Sequence, residues 1–277
     1  MIQNRIKKSE PMLPFKLYHA RQLKVMLKER EAIIVQITDP ITYLSGHIPG
    51  AVLVRPQEIM SKQEPAIGKL PSATNISKVL AKIGYQADKT LIVYDNEGGG
   101  WAGRFLWILD CIGHKSLGYL NGGLRAWMAK HLPLETDWKD PPTTKVSIVL
   151  KHQPIASLED VKNAIDDPNQ LIWDVRSEGE YRGADRRALR GGHIPSALHL
   201  DWSKLHDSRN HFCLPANLKQ ILRHNDLLSG KKIITHCQSH HRSGLSYLVG
   251  RLFQLDIRAY DGAWAEWGNR TDTPIEI

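Results

Sequence analysis

Apolar residues along the chain gather in short runs that lack the in–out alternation of a half-exposed strand. Four such runs are AIIVQI at 32–37, LIVYD at 91–95, QLIWDV at 170–175 and KIITHC at 232–237. Continuous apolar runs rich in β-branched residues predict strands covered on both faces, as in a parallel sheet flanked by helices. Helix-like stretches follow the second and fourth runs, at 103–113 and 244–255. This order of strand, loop and helix predicts the α/β fold class.

The same pattern occurs twice along the chain. GHIPGAVLV at 46–54 returns as GHIPSALHL at 192–200, and GYLNGGLRAW at 118–127 returns in looser form as RAYDGAWAEW at 258–267. Because these matches keep their order and nearly the same spacing, they indicate a duplicated domain.

Pro141 and Pro142 lie between the two copies, where they forbid a helix and favour an extended linker. We therefore predict a first domain at about 14–130, a linker at 131–154 and a second domain at about 155–272. Each domain is expected to be a parallel sheet flanked by helices.

Composition limits the classes of partner. The chain has 277 residues, 42% hydrophobic and 24% charged, as in a globular protein with buried cores. Its apolar runs are too short to cross a bilayer, and its amino-terminal segment lacks the apolar run of a secretory signal, so we expect no membrane association. Three cysteines far apart in sequence suit a reducing cytoplasm. The net charge of +8 is spread without long Lys or Arg runs, which disfavours nucleic acid and suits small anions.

The stretch HCQSHHRSG at 236–244 places a cysteine at the end of the fourth predicted strand. Sites of open α/β sheets form just beyond the carboxyl ends of strands. The loop's backbone N–H groups and those at the start of the next helix together favour an anion there. Because these dipoles and Arg242 stabilise a thiolate, Cys237 is predicted to be a nucleophile. His236 precedes it on the strand and is expected to face the other way.

Two other interpretations of this loop are open. His236, Cys237, His240 and His241 could ligate a metal, but zinc sites usually join two well-separated ligand pairs, so we expect no metal. A phosphatase of the tyrosine-specific type has five residues between its cysteine and arginine, whereas four separate Cys237 from Arg242. The shorter loop makes a tighter ring of N–H donors, which suits a terminal sulfur better than a phosphoryl group.

Several motifs resemble the rhodaneses in their tandem-domain form. YLSGHIPGAVLV at 43–54 is similar to the family's first signature, and AYDGAWAEW at 259–267, continued by GNRTDTPIE, to its carboxyl-terminal one. CQSHHR at 237–242 resembles the active loop of a bacterial thiosulfate:cyanide sulfurtransferase subgroup. The resemblance covers roughly 14–276.

The resemblance implies a two-step sulfur transfer without metal or organic cofactor. Cys237 would take the outer sulfur of thiosulfate, a small anionic donor, as a persulfide and pass it to cyanide, a thiol or a protein. The alternatives are 3-mercaptopyruvate as the donor and a carrier that passes its persulfide to a protein partner without turnover. The implied cradle consists of Gln238, Ser239, His240, His241, Arg242 and Ser243.

The first copy has Asp95 where the second has Cys237. A carboxylate cannot carry a persulfide, so we expect the first domain to be catalytically silent and to form a wall of the site. Asp174 and Arg176 match an Asp-x-Arg pair of the family. They are expected to support the site, as a structural ion pair or through substrate contact, together with Arg182 in the loop that follows.

Overall fold

The computed structural model describes residues 15–29 and 31–277. The start predicted for the first domain, residue 14, and the amino-terminal segment before it lie outside the described residues. No helix in the described part of the chain is both long and apolar enough to cross a membrane.

Two parallel sheets of five strands each organise the described residues, which confirms the α/β class. The first sheet has the order β1-β5-β4-β2-β3, with β1 (Phe15–Tyr18), β2 (Ala32–Ile37), β3 (Val52–Val54), β4 (Thr90–Tyr94) and β5 (Leu117–Leu120). The second has the order β6-β10-β9-β7-β8, with β6 (Ile155–Ala156), β7 (Gln170–Asp174), β8 (Leu198–His199), β9 (Lys232–His236) and β10 (Ile257–Tyr260). The two orders are the same when strands are numbered within each copy, as a duplication requires.

Helices cover the faces of both sheets, as the continuous apolar strands require. The first copy contains α1 (Ala20–Glu29), α2 (Pro40–Ser45), α3 (Ala73–Lys82), α4 (Gly100–Cys111) and α5 (Gly123–Met128). The second contains α6 (Leu158–Ala164), α7 (Glu178–Tyr181), α8 (Leu218–His224), α9 (Arg242–Leu252) and α10 (Ala263–Trp267). Short 3-10 helices add Pro56–Ile59, Trp202–Leu205 and Ser208–Asn210.

The connection between α5 and β6 forms no regular helix or strand and runs back along the first copy. Its backbone amide at Lys151 donates to the Cys111 carbonyl at 2.6 Å, and Thr144 donates to Ala81. It is therefore anchored to α3 and α4 of the first copy.

The two copies share one apolar core, which continues from α4 into α9. At their crossing, a Cβ on Gly103 would lie 2.2 Å from the Gly244 carbonyl oxygen, and one on Gly244 would lie 2.4 Å from the Gly100 oxygen. The glycines let the two backbones touch, so that the start of α9 is held against the first copy.

Replacing Gly103 with alanine tests this close crossing. We expect Gly103→Ala to lower the free energy of unfolding by about 1–3 kcal/mol, because the added methyl group forces two backbones apart. Urea denaturation monitored by tryptophan fluorescence measures the change. Gly179→Ala is the matched control, since a Cβ there meets its nearest neighbour at an ordinary 3.5 Å, and we expect a change within about 0.5 kcal/mol. Equal stability of the Gly103 variant and the wild type would contradict the crossing.

Candidate active site

Cys237 follows β9, the central strand of the second sheet, and its side chain is only 1% exposed. The backbone of α10 fixes the start of the loop, because Trp264 N–H donates to the Cys237 carbonyl and Ala265 N–H to that of Gln238, both at 2.9 Å. The cysteine therefore sits on a rigid base, at the strand end where the sequence predicts a site.

The loop backbone combines left- and right-handed residues, as anion-binding turns do. His240 adopts a left-handed φ of +56°, and His241 returns to the right-handed region at φ −90° and ψ −67°. Alternation of this kind turns successive N–H groups toward one point. No side chain caps the first turn of α9, so its N–H groups add to the same field.

Ser243 links the cysteine to His240. The Ser243 Oγ lies 3.4 Å from the Cys237 Sγ, toward which it donates, and 2.7 Å from the His240 Nδ1. Burial, together with nearby Arg104, holds the pKa of His240 well below its usual range, so this imidazole is neutral at pH 7. With its proton on Nδ1, His240 directs the serine O–H toward the sulfur.

Arg242 is paired with a buried glutamate. Its Nη1 and Nη2 lie 2.5 and 2.8 Å from the two carboxylate oxygens of Glu180, which is 1% exposed and held by Ser177 at the start of α7. Burial opposes both charges, but their mutual hydrogen bonds outweigh it, raising the pKa of Arg242 and lowering that of Glu180. The pair fixes the guanidinium at the loop and adds almost no net charge.

The side chains of Gln238 and His241, two further predicted cradle residues, contact groups outside the cysteine loop. Gln238 donates through its side chain to the Arg187 carbonyl at 3.0 Å. His241 stacks on Trp101 with ring centroids 4.2 Å apart and lies 2.8 Å from Glu97 Oε1. These side chains therefore anchor the outside of the loop, and their backbone lines it.

Asp174 and Arg176 form a buried pair behind the site. The Arg176 Nη2 lies 2.6 Å from Asp174 Oδ2 and 2.8 Å from the Gly192 carbonyl, and its guanidinium stacks over Trp264 at 4.0 Å. The His236 Nε2 lies 3.6 Å from Asp174 Oδ2. Contacts of the pair therefore join β7, α10 and β9.

Arg182 makes its ion pair outside the cysteine loop. Its side chain is 71% exposed and pairs with Glu178 one helical turn earlier, at 2.9 Å. The role predicted for Arg182 in the site therefore has no contact among the described residues that supports it.

The side chains of His240 and His241 lie in different surroundings: His240 is buried, whereas His241 stacks on Trp101 of the first copy. This separation does not suit a shared metal ion. Among the described residues, one group of side chains could hold an ion, namely His47, Glu135 and Asp137 in the first copy. Lys139 already bridges its two carboxylates, at 2.9 Å from each.

In the first copy, the loop that follows β4 binds a carboxylate of its own, that of Asp95. The Asp95 carboxylate, 1% exposed, accepts backbone N–H bonds from Glu97, Gly99 and Ala102 at 3.2, 2.9 and 3.0 Å. Burial raises the pKa of Asp95, and the bonds from Ala102 and Gly99 oppose that rise. A carboxylate with its own N–H donors thus occupies the position that Cys237 has in the second copy.

Arg104 is a site residue that the motif analysis missed. It is fully buried in α4 of the first copy, and its Nη1 donates to the carbonyls of His240 at 3.1 Å and Ser239 at 3.4 Å. An arginine inside the apolar run GRFLWIL was the available signal, because a buried charge needs several polar partners.

Comparison with known proteins places the chain in a family. A family model described as the rhodanese-like domain matches residues 19–130 and 157–270. A thiosulfate sulfurtransferase of Azotobacter vinelandii is 39% identical over 92% of this chain and 94% of its own length. One of Pseudomonas aeruginosa is 38% identical over 89% and 92%. A solved 3-mercaptopyruvate sulfurtransferase from Escherichia coli superposes with a TM-score of 0.78 at 27% identity, covering 90% of this chain and 98% of that one.

The Arg242–Glu180 pair predicts a pH-dependent stability. Because the pKa of Glu180 in the folded protein lies below its ordinary value of 4.5, the pair stabilises the fold fully above that pH. Its contribution is lost as pH falls through the lowered pKa. We expect Glu180→Gln to be less stable than the wild type by about 3 kcal/mol at pH 7, with the difference shrinking below pH 4.5. Urea titrations at several pH values measure it; a difference independent of pH would contradict the pairing.

Proposed function

The chain belongs to the rhodanese-like family, and we propose that it is a thiosulfate sulfurtransferase whose persulfide forms on Cys237. The observation that carries the proposal is the position of Cys237. Its buried sulfur lies 3.4 Å from the Ser243 hydroxyl, at the start of a loop that combines a left-handed His240 with a right-handed His241. That is a site for sulfur bearing negative charge.

In the first step the Cys237 thiolate attacks the outer sulfur of thiosulfate. A bond forms between the two sulfurs while the S–S bond of thiosulfate breaks, and its electron pair leaves with sulfite. The persulfide keeps one negative charge, which the loop N–H groups and the Ser243 O–H stabilise. No oxidant or reductant is needed.

In the second step a nucleophilic acceptor takes the outer sulfur. The lone pair of cyanide, or a thiolate of a small molecule or protein, bonds to that sulfur, and the Cys237 thiolate leaves. The enzyme returns to its starting state, which makes the reaction ping-pong. We place this chemistry in the second domain, about 155–272, and in the cytoplasm.

The proposed cradle divides its work between backbone and side chains. Residues 238–241 contribute N–H groups, Ser243 its hydroxyl, and Arg242 a guanidinium held at the loop by Glu180. Asp174 and Arg176 support the strand end from behind. Arg182 is proposed only as part of the surface loop beside the entrance.

Persulfide formation is tested by intact mass. After incubation with thiosulfate the protein should gain one sulfur, about 32 Da, and lose it on addition of cyanide. Cys237→Ser should gain none, whereas Cys213→Ser, which removes a half-buried thiol elsewhere, should behave as the wild type. A sulfur gained by the Cys237 variant would show that another residue carries it.

The donor is tested by initial rates with cyanide as acceptor. Because the relatives that match most of the chain at 38–39% identity are thiosulfate sulfurtransferases, we expect kcat/KM to be at least about tenfold higher for thiosulfate than for 3-mercaptopyruvate. Faster transfer from 3-mercaptopyruvate would make that compound the donor. A persulfide that forms but never turns over would identify a carrier.

A further inference from the structure

Arg104 reaches the active loop from the domain that lacks the cysteine. Its guanidinium is 0% exposed and lies among main-chain carbonyls from both copies. In the first copy, Nε and Nη2 donate to the Ile59 carbonyl at 2.9 and 2.8 Å, and Nη2 also donates to the Lys69 carbonyl at 3.3 Å. In the second copy, Nη1 donates to the carbonyls of Ser239 and His240. The side chain thus ties one segment of the first copy to the cysteine loop.

No carboxylate pairs directly with Arg104 among the residues that the structure describes. Burial lowers its pKa to about 10, with Asp261 and then Cys237 acting in the opposite direction. The guanidinium therefore stays protonated at neutral pH, and its charge is coupled electrostatically to the sulfur. By contrast, Glu180 neutralises Arg242, and His240 is neutral.

The route of that influence is the peptide group. In a trans peptide the C=O and the following N–H point in opposite directions. Arg104 holds the carbonyls of Ser239 and His240 toward the first copy, so the N–H groups of His240 and His241 are turned to the other side of the loop. A cation on the carbonyl also polarises the peptide and strengthens its N–H as a donor.

Other residues of the first copy also pack against the cysteine loop. Trp107 meets the buried ring of His240 edge to face at 4.4 Å, and Gly68 packs so closely that a Cβ there would lie 2.0 Å from the Ser239 oxygen. His240 adopts a left-handed conformation, which is uncommon for a non-glycine residue. Contacts from the first copy thus surround the residue at which the loop turns.

We propose that Arg104 is a positioning residue of the sulfur-transfer site, by which the silent domain orients and polarises the loop peptides facing Cys237. The proposal rests on the sulfurtransferase function above and assigns the silent domain a specific part in it. Arg104 touches no reacting atom; it acts through the peptides of Ser239 and His240.

The decisive readout is the reactivity of Cys237 itself. In Arg104→Gln we expect the alkylation rate of Cys237 by iodoacetamide at pH 7, followed by peptide mass spectrometry, to fall at least about tenfold, because the loop peptides are no longer held and polarised by the guanidinium. Its kcat/KM for thiosulfate should fall by about thirtyfold or more, carried mainly by kcat. Arg104→Lys keeps the positive charge but loses the planar set of guanidinium donors. Its alkylation rate and its kcat/KM should therefore lie between those of the wild type and of Arg104→Gln.

Tyr247→Phe is the matched control. It removes another buried hydrogen bond of the same interface, from the Tyr247 hydroxyl to Asp110 at 2.6 Å, without touching the loop. We expect it to lower stability to urea while leaving the alkylation rate and kcat/KM within about twofold. If Tyr247→Phe lost as much reactivity as Arg104→Gln, the effect would be one of interface stability and the proposal would fail.

Two further outcomes separate the proposals. If Arg104→Gln does not fold, Arg104→Lys decides, and wild-type reactivity in that variant would overturn the positioning role. If the wild type gains no sulfur from thiosulfate, the proposed function fails, while the alkylation series still tests Arg104. If the wild type forms the persulfide and both Arg104 variants react as it does, the function stands and this inference falls.

Discussion

At the crossing of α4 and α9, Gly103 lies against Gly244 so closely that neither position has room for a methyl group. This contact fixes where the first turn of α9 begins relative to the first copy, and the cysteine loop is the segment that leads into that turn. Arg104 follows Gly103 directly, so the same crossing carries its guanidinium to the loop carbonyls. The site therefore depends on a helix contact between domains as much as on the strand that bears the cysteine.

The two copies have the same strand order but carry different residues, Asp95 and Cys237, after their central strands. Both copies end their central strand at a loop that leads into a helix, α4 in the first copy and α9 in the second. In the first copy three backbone N–H groups bond to the carboxylate of Asp95. In the second copy the equivalent position carries the Cys237 thiol. The two loops differ at most positions, but the exchange of Asp95 for Cys237 decides whether a carboxylate or a thiol follows the central strand.

The sequence reveals the features that local pattern determines. The strand cores, the duplication and the placement of Cys237 at a strand end follow from apolar runs and repeated motifs, and the structure has the parallel sheets they predict. The directions of the loop side chains do not follow in this way. His240 and His241 are neighbours, yet one is buried against Trp107 and the other stacks on Trp101. That divergence is set by the left-handed turn at His240 and by surfaces of the other domain, distant in sequence.

The charges around Cys237 explain why the loop suits a sulfur with a single negative charge. Glu180 is paired with Arg242, and burial keeps His240 neutral, so these two loop residues add little net positive charge. The peptide dipoles of the loop therefore carry most of the stabilisation, and Arg104 acts on them through the carbonyls of Ser239 and His240. Dipoles at short range stabilise a localised monoanion, whereas a dianionic phosphoryl group is usually met by direct arginine contacts. The arrangement thus favours a monoanionic persulfide intermediate over a dianionic phosphocysteine, in agreement with the four-residue spacing between Cys237 and Arg242. Thiosulfate is itself a dianion, so this preference acts on the intermediate that remains once sulfite has left.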